Sequence, residues 1–223
     1  MQNINFPTHI NLEDLNQWFE NARDTLEARY LINTEPWRQS GMSGPEERWI
    51  CLRKPVADCI DRSGPFLDIG CANGYLLECC QKWNSAKDII IEPYGIDISS
   101  KLIELAKDRF PQHKDNFIVK NAFYWIPSKR FDFVRTELVY VPAQYEKQYS
   151  EFLLDKYINP SGKLLVANYA EEHPHPESTI VFGSHPTKNI LSRLVELAFE
   201  ATEYKDGFDT VKNRKTRVAV LTR

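Results

Sequence analysis

From residue 66 onward, short strand-like runs alternate with stretches of helical spacing, and this alternation leaves the chain few architectures. The strand-like runs are FLDI (66–69), YGIDI (94–98), NFIVK (116–120), FDFVR (131–135) and KLLVANY (163–169). Between most of them apolar residues recur at helical intervals. Leu76, Cys79, Cys80 and Trp83 share one face, as do Leu102, Leu105, Ala106 and Phe110. Tyr145, Tyr149, Phe152 and Leu153 form a third such face before the stop NPSG (159–162). Strands joined through helices lie parallel in one sheet with helices on both faces. The C-terminal end departs from this rule. Segments 202–211 and 215–221 read as two strands separated by only a few residues, KNRK (212–215). A parallel pair needs a crossover of roughly a dozen residues, so the last strand runs antiparallel to its neighbour. The expectation is an α/β fold: a doubly wound, mostly parallel seven-stranded sheet with an antiparallel last strand, preceded by N-terminal helices.

Those helices are read from two segments. Leu12, Leu15, Trp18, Phe19, Ala22, Leu26 and Tyr30 follow helical spacing. A polar break, NTEPWRQSGMSGPEERW (33–49), precedes a second helix that Ser43 is placed to cap and that Pro55 is expected to kink or split. DRSGP (61–65) closes this section. A chain of 223 residues is long enough to bury a substantial core as one domain. Residues 1–64 are read as an N-terminal helical lid segment and 65–223 as the core.

Composition narrows the function classes. Lys and Arg number 28 against 31 Asp and Glu, a net charge of −3, which does not favour broad contact with nucleic-acid phosphates. The five cysteines are odd in number and form no C-x-x-C pair. They read as small core residues in a reducing compartment, with neither a disulfide frame nor a metal site. The start, MQNINFPTHINLEDLNQW, lacks a basic stretch followed by an apolar one, and no apolar run approaches a membrane span. A cytoplasmic location without membrane contact is the expectation.

The stretch FLDIGCANGYLLECC (66–80) carries the first chemical signal. A strand, a tight turn and a helix follow one another, which aims the helix N-terminus and its free N–H groups at a ligand. Its glycines fall at Gly70 and Gly74 with Ala72 between them, so the dinucleotide pattern G-x-G-x-x-G is not met. A turn that merely packs helix against strand explains the stretch equally well. Asp97 adds weight to the ligand reading. It ends the second strand, where an acidic side chain can accept hydrogen bonds from both hydroxyls of a ribose. The same residue can instead cap a helix beginning at Ser99 or Ser100.

LDIGCANG, then GIDIS, NFIVKNAF and FDFVRTELVYV in this order, with the closing hairpin, resemble the Rossmann-like S-adenosylmethionine-dependent methyltransferases over residues 65–223. The resemblance implies S-adenosylmethionine as cofactor. Asp68, Gly70, Ala72 and Gly74 would line the loop against its methionine and ribose portions. Asp97 would hold the ribose hydroxyls, Ile98 would pack on adenine, and Asn121 and Ala122 would meet the adenine edge. The carbonyl of Arg135 would face the methionine ammonium. Alanine at position 72 leaves the backbone accessible if its φ is negative. Segments ahead of the first strand often form a lid in this fold. Trp37 and Arg38 are read as part of it, with Arg38 pairing the cofactor carboxylate or an anionic acceptor.

Methyl transfer from a sulfonium is an in-line displacement with an activated leaving group, so alignment matters more than any universal catalytic residue. An oxygen nucleophile still calls for a base. After the fourth strand the chain reads RTELVYVP (135–142). It lacks the Asn/Asp-Pro-Pro-aromatic motif shared by family members acting on nucleobase amines. Glu137 and Tyr140 stand just past that strand's carboxyl end, where open α/β sheets place their chemistry. His173 and His175 follow the fifth strand and can deprotonate a hydroxyl near neutrality; they read equally as part of a stiff loop. The reading is a methyltransferase acting on an oxygen or nitrogen nucleophile of a small molecule. The alternatives are methylation of RNA or protein, or a cofactor-binding scaffold.

Overall fold

The computed structural model describes residues 12–41, 44–171, 189–211 and 213–223. Helix α1 (Leu12–Tyr30) buries Leu15, Phe19 and Ala22 and carries Glu13 and Asp14 in its first turn, favourable to its dipole. A 3-10 turn (Arg38–Ser40) leads to α2 (Glu46–Asp58). The core alternates through β1 (Gly64–Ile69), α3 (Tyr75–Ser85), β2 (Ile91–Asp97), α4 (Ser100–Arg109) and β3 (Phe117–Val119). It continues through β4 (Phe131–Thr136), α5 (Glu146–Lys156), β5 (Ile158–Glu171), α6 (Ile190–Glu196), β6 (Glu203–Asp209) and β7 (Arg214–Thr222).

The seven strands form one sheet in the order β3-β2-β1-β4-β5-β7-β6. β1 pairs in parallel with β2 and β4, and β4 with β5, while β7 runs antiparallel to both β5 and β6. The doubly wound sheet and its reversed last strand match the sequence expectation. The strand order turns back between β1 and β4, the switch point outside which open α/β sheets leave a crevice.

Two apolar layers cover the sheet. On one face α2, α3 and α4 pack Trp49, Leu52, Leu77, Cys80 and Ile103 against Phe66, Phe133, Leu165 and Val220. On the other, α1, α5 and α6 pack Phe19, Leu153 and Leu194 against Leu67, Val134, Leu164 and Leu221. The alternation follows the period of two along each strand. Asp68 therefore shares the first face with Phe66, Arg135 with Phe133, and Tyr169 with Leu165. At the carboxyl ends of β1, β4 and β5 that face turns from apolar to polar. Four of the five cysteines are buried free thiols and Cys51 is exposed. Among the described residues no helix is long and apolar enough to cross a membrane.

Two local expectations are revised. Pro55 does not split α2, which runs unbroken to Asp58. A helical proline leaves the carbonyl four residues back without its usual donor. Here that carbonyl, on Cys51, lies against Gly207 of β6, which carries no side chain to collide with it. The helix cap also differs: Pro45 stands at the N-cap of α2, and Ser43 lies outside the described residues. Helix α6 ends where Ala198 turns left-handed (φ +66°) and Phe199 N–H returns to the Leu194 carbonyl at 2.8 Å.

Gly207 is thus where α2 meets the sheet. A Cβ there would collide with the Cys51 carbonyl and reach the Pro55 ring at 2.8 Å. Gly207→Ala is expected to destabilise the fold by about 1–3 kcal/mol, read as a lowered urea midpoint at constant slope. An unchanged midpoint would show that α2 is free to shift on the sheet.

Candidate functional site

At the switch point a cavity of about 360 Å³ opens above the carboxyl ends of β1, β2 and β4, walled on its outer side by Trp18, Phe19, Ala22, Leu26 and Tyr30. Its floor is the loop 70–74. Gly70, Ala72 and Gly74 all have positive φ, at +68°, +48° and +75°. Gly70 and Cys71 donate their N–H groups to the Ile96 carbonyl at 2.8 and 3.1 Å, folding the loop over the end of β2. Gly74 is the N-cap of α3 and does not itself line the cavity. The negative φ on which Ala72 would have been harmless is not what the turn adopts. Position 72 takes the left-handed conformation with a Cβ attached.

Asp97 lies under this loop and is buried. Its Oδ2 accepts the Ala72 N–H at 3.0 Å and its Oδ1 the Ser99 N–H at 2.9 Å. Burial raises its pKa, and the N–H groups of Ser99, Ala72 and Ile98 oppose that rise. Capping of α4 falls to Ser99, whose hydroxyl accepts the Leu102 N–H. Asp97 thus spans loop and strand end, and it and Ile98 both line the cavity. Asn121 and Ala122 line the same cavity. The Asn121 side chain accepts the Phe123 N–H at 2.9 Å, which fixes the turn after β3.

The deepest wall is charged. Asp68 and Arg135 are register partners on β1 and β4, and both are almost fully buried. The Arg135 guanidinium donates to Asp68 Oδ1 (3.3 Å), the Ile69 carbonyl (3.1 Å) and the hydroxyls of Tyr140 (2.7 Å) and Tyr169 (3.1 Å), and forms a short ion pair with Glu137. Tyr140 donates in turn to Glu137 at 2.7 Å. Its ring leans on Gly70 so closely that a Cβ there would come within 2.7 Å of it. Burial lifts the Asp68 carboxyl to about 6 despite the opposing pull of Arg135. Burial likewise raises the Tyr140 and Tyr169 phenols, so they remain hydroxyl donors. The sequence reading weighed only the carbonyl of Arg135; its side chain organises the wall.

Other sequence candidates fall apart from this wall. Arg38 does not line the cavity; its half-exposed side chain pairs with Glu35 at 3.7 Å. Ser40 and Gly41 of the same turn do line it. Buried Asn73 ties that turn to the floor, donating to the Pro36 carbonyl and Gln39 Oε1, both at 3.1 Å. His173 lies outside the described residues, as does His175. Tyr169, Tyr30 and Arg53, all lining residues, were not singled out from the sequence. Arg53 had one legible signal: it falls on the face of α2 that carries Trp49, Leu52 and Val56, a charge where the pattern calls for an apolar side chain.

Comparison with known proteins agrees with this fold. A family profile described as a methyltransferase domain matches residues 67–151. A protein described as an uncharacterized methyltransferase of Alkaliphilus oremlandii is 25% identical over 161 residues, covering 70% of this chain and 68% of its own. Among solved structures, a SAM-dependent methyltransferase of Leishmania major superposes with a TM-score of 0.70 at 11% identity, over 92% of this chain and 83% of that one. A SAM-dependent methyltransferase of Geobacter sulfurreducens in complex with S-adenosyl-L-homocysteine gives 0.54 at 15% identity, over 83% and 96%. The magnesium protoporphyrin IX methyltransferase of Synechocystis gives 0.57 at 13% identity, over 96% and 100%.

The strained position in the floor yields a direct test. A left-handed alanine costs about 1–2 kcal/mol, while a glycine there would lose about 0.4–1 kcal/mol through its freer unfolded chain. Ala72→Gly is expected to be stabilising by up to about 1 kcal/mol, or roughly 2–4 °C in Tm for a chain of this size. A lowered Tm in calorimetry would contradict the left-handed assignment.

Proposed function

Because the chain belongs to the Rossmann-like S-adenosylmethionine-dependent methyltransferases, we propose that it methylates an oxygen or nitrogen nucleophile of a small molecule. The acidic pair Asp68 and Glu137, held by one arginine at the cavity's deep end, is the observation that carries the reading. The two carboxylates suit a ligand that brings an ammonium and a sulfonium into the same wall.

The residues present fit the cofactor in three ways. Asp97 keeps acceptor sites for ribose hydroxyls. Asn121, Ala122 and Ile98 border the space where adenine would lie. Gly70 and Ala72 bring backbone, not long side chains, to the floor. Asp68 and Glu137 would take the methionine ammonium. The cofactor, when bound, supplies an activated methyl group. Arg135 and Tyr140 orient the Glu137 carboxylate; a hydroxyl acceptor would call for a base, whereas an amine acceptor need only arrive neutral. Helix α1 and the turn 35–41 act as a lid that excludes water.

The enclosure of the cavity by Trp18, Phe19, Ala22, Leu26 and Tyr30 of α1 supports a small acceptor over RNA or protein. The Synechocystis neighbour, by its name, also acts on a small molecule, a magnesium porphyrin.

The raised Asp68 pKa gives the test its sign. An ammonium beside Asp68 favours the carboxylate, so the complex has a lower Asp68 pKa than the free protein, where it is about 6. Affinity for S-adenosylhomocysteine is therefore expected to rise about tenfold from about pH 5 to about pH 7 and then level. Calorimetric titration of Asp68→Asn should flatten this profile, and Asp97→Ala should weaken binding at every pH. A wild-type profile flat across this range would remove the ammonium from Asp68.

A further inference from the structure

Four arginines are buried among the described residues: Arg48, Arg53, Arg135 and Arg217. Three of them hold carboxylates. Arg48 pairs with Asp209, Arg135 with Asp68 and Glu137, and Arg217 with Asp206 and Glu171. Arg53, 8% exposed, forms no ion pair with any described residue, and its buried Nη1 has no hydrogen-bond partner. A buried cation without a counter-charge is costly, which is why the others are paired.

The environment of Arg53 is built for a planar anion. Its guanidinium stacks on the Tyr169 ring, 3.2 Å from the centroid, and lines the cavity. This fixes the plane of the fork. Beside it stands Tyr30, whose hydroxyl burial keeps protonated by raising its pKa to about 12. A Cβ on Gly41 would collide with the Tyr30 hydroxyl at 2.7 Å and approach Arg53 Nη2 at 3.9 Å, so the two donors lie near one another beside a glycine with φ +91°.

Position along the sheet assigns this place to the acceptor. Asp97, Ile98 and Asn121 stand over β2 and β3, the loop follows β1, and Tyr169 belongs to β5, beyond β4. Adjacent strands lie ~4.8 Å apart, so the β5 backbone that carries Tyr169, the platform of Arg53, runs roughly 10 Å across the sheet from β1, on the side away from Asp97. We propose that Arg53, with Tyr30, anchors a carboxylate of the methyl acceptor, and that the acceptor is an aromatic acid held among Trp18, Tyr30, Tyr140 and Tyr169. This rests on the cofactor reading above, since it places the acceptor relative to Asp97 and the loop.

The experiment uses benzoate and its uncharged analogue benzamide, titrated calorimetrically into protein saturated with S-adenosylhomocysteine. Wild type is expected to bind benzoate at least about tenfold more tightly than benzamide, the effect of one charge-assisted hydrogen-bonded pair. Arg53→Gln should abolish that difference while S-adenosylhomocysteine affinity stays within about threefold, and Arg53→Lys should keep part of it. Thermal midpoints check that both variants fold. Equal binding of benzoate and benzamide by wild type overturns the proposal without recourse to any variant. A benzoate preference unchanged in Arg53→Gln overturns it too, as does a loss of S-adenosylhomocysteine affinity that assigns the guanidinium to the cofactor's own carboxylate. Failure of wild type to bind S-adenosylhomocysteine would instead overturn the cofactor reading.

Discussion

The Arg135 guanidinium, enclosed between Asp68 and Glu137 and roofed by two tyrosine hydroxyls, is the interaction on which the site depends. It joins β1 to β4 across the point where the strand order reverses, and it fixes both carboxylates that face the cavity. Such a cluster is a poor source of stability, because desolvating the charges offsets most of their attraction. Removing one member is another matter: an uncompensated buried charge costs about 3–5 kcal/mol. The cluster is better understood as a device that holds acid oxygens in place in a dry wall.

The fold supplies that wall through strand register. Asp68 and Arg135 face the same side because they are register partners on adjacent parallel strands, and Tyr169 joins them from β5. The apolar side chains before them on each strand form the core under α2 and α3. Function begins where that core ends. The N-terminal segment completes the enclosure from two directions, with α1 over the mouth and Arg53 of α2 reaching Tyr169 from the side. Asn73 and the Glu27 carboxylate anchor this segment. The first bonds the turn 36–39, and the second takes Ser99 Oγ and Lys101 Nζ, each at 2.7 Å.

Features governed by local spacing were legible in the sequence. The helical and strand periods, the short connection that forces β7 to reverse, and the loop with its partner Asp97 all depend on neighbours within about 30 residues. What was not legible depends on register between distant strands. FDFVR reads as a strand, but nothing within it says that the arginine side chain meets Asp68 across 67 positions. Tyr169 and Arg53 meet only because β5 and α2 lie on one face. Pro55 was misread for the same reason: its cost is local, while the space that accommodates it belongs to Gly207, far along the chain. Ala72 shows the converse, a local strain that the sequence raised as a condition and the turn answers with φ +48°.

The most direct test of this account is a crystal structure of the protein with S-adenosylhomocysteine. The ligand's ammonium is expected within hydrogen-bond distance of Asp68 or Glu137, its ribose hydroxyls on Asp97, and Arg135 still paired with both carboxylates. A complex in which Arg135 has left Asp68 to bind the ligand, or in which the ribose lies away from Asp97, would contradict it.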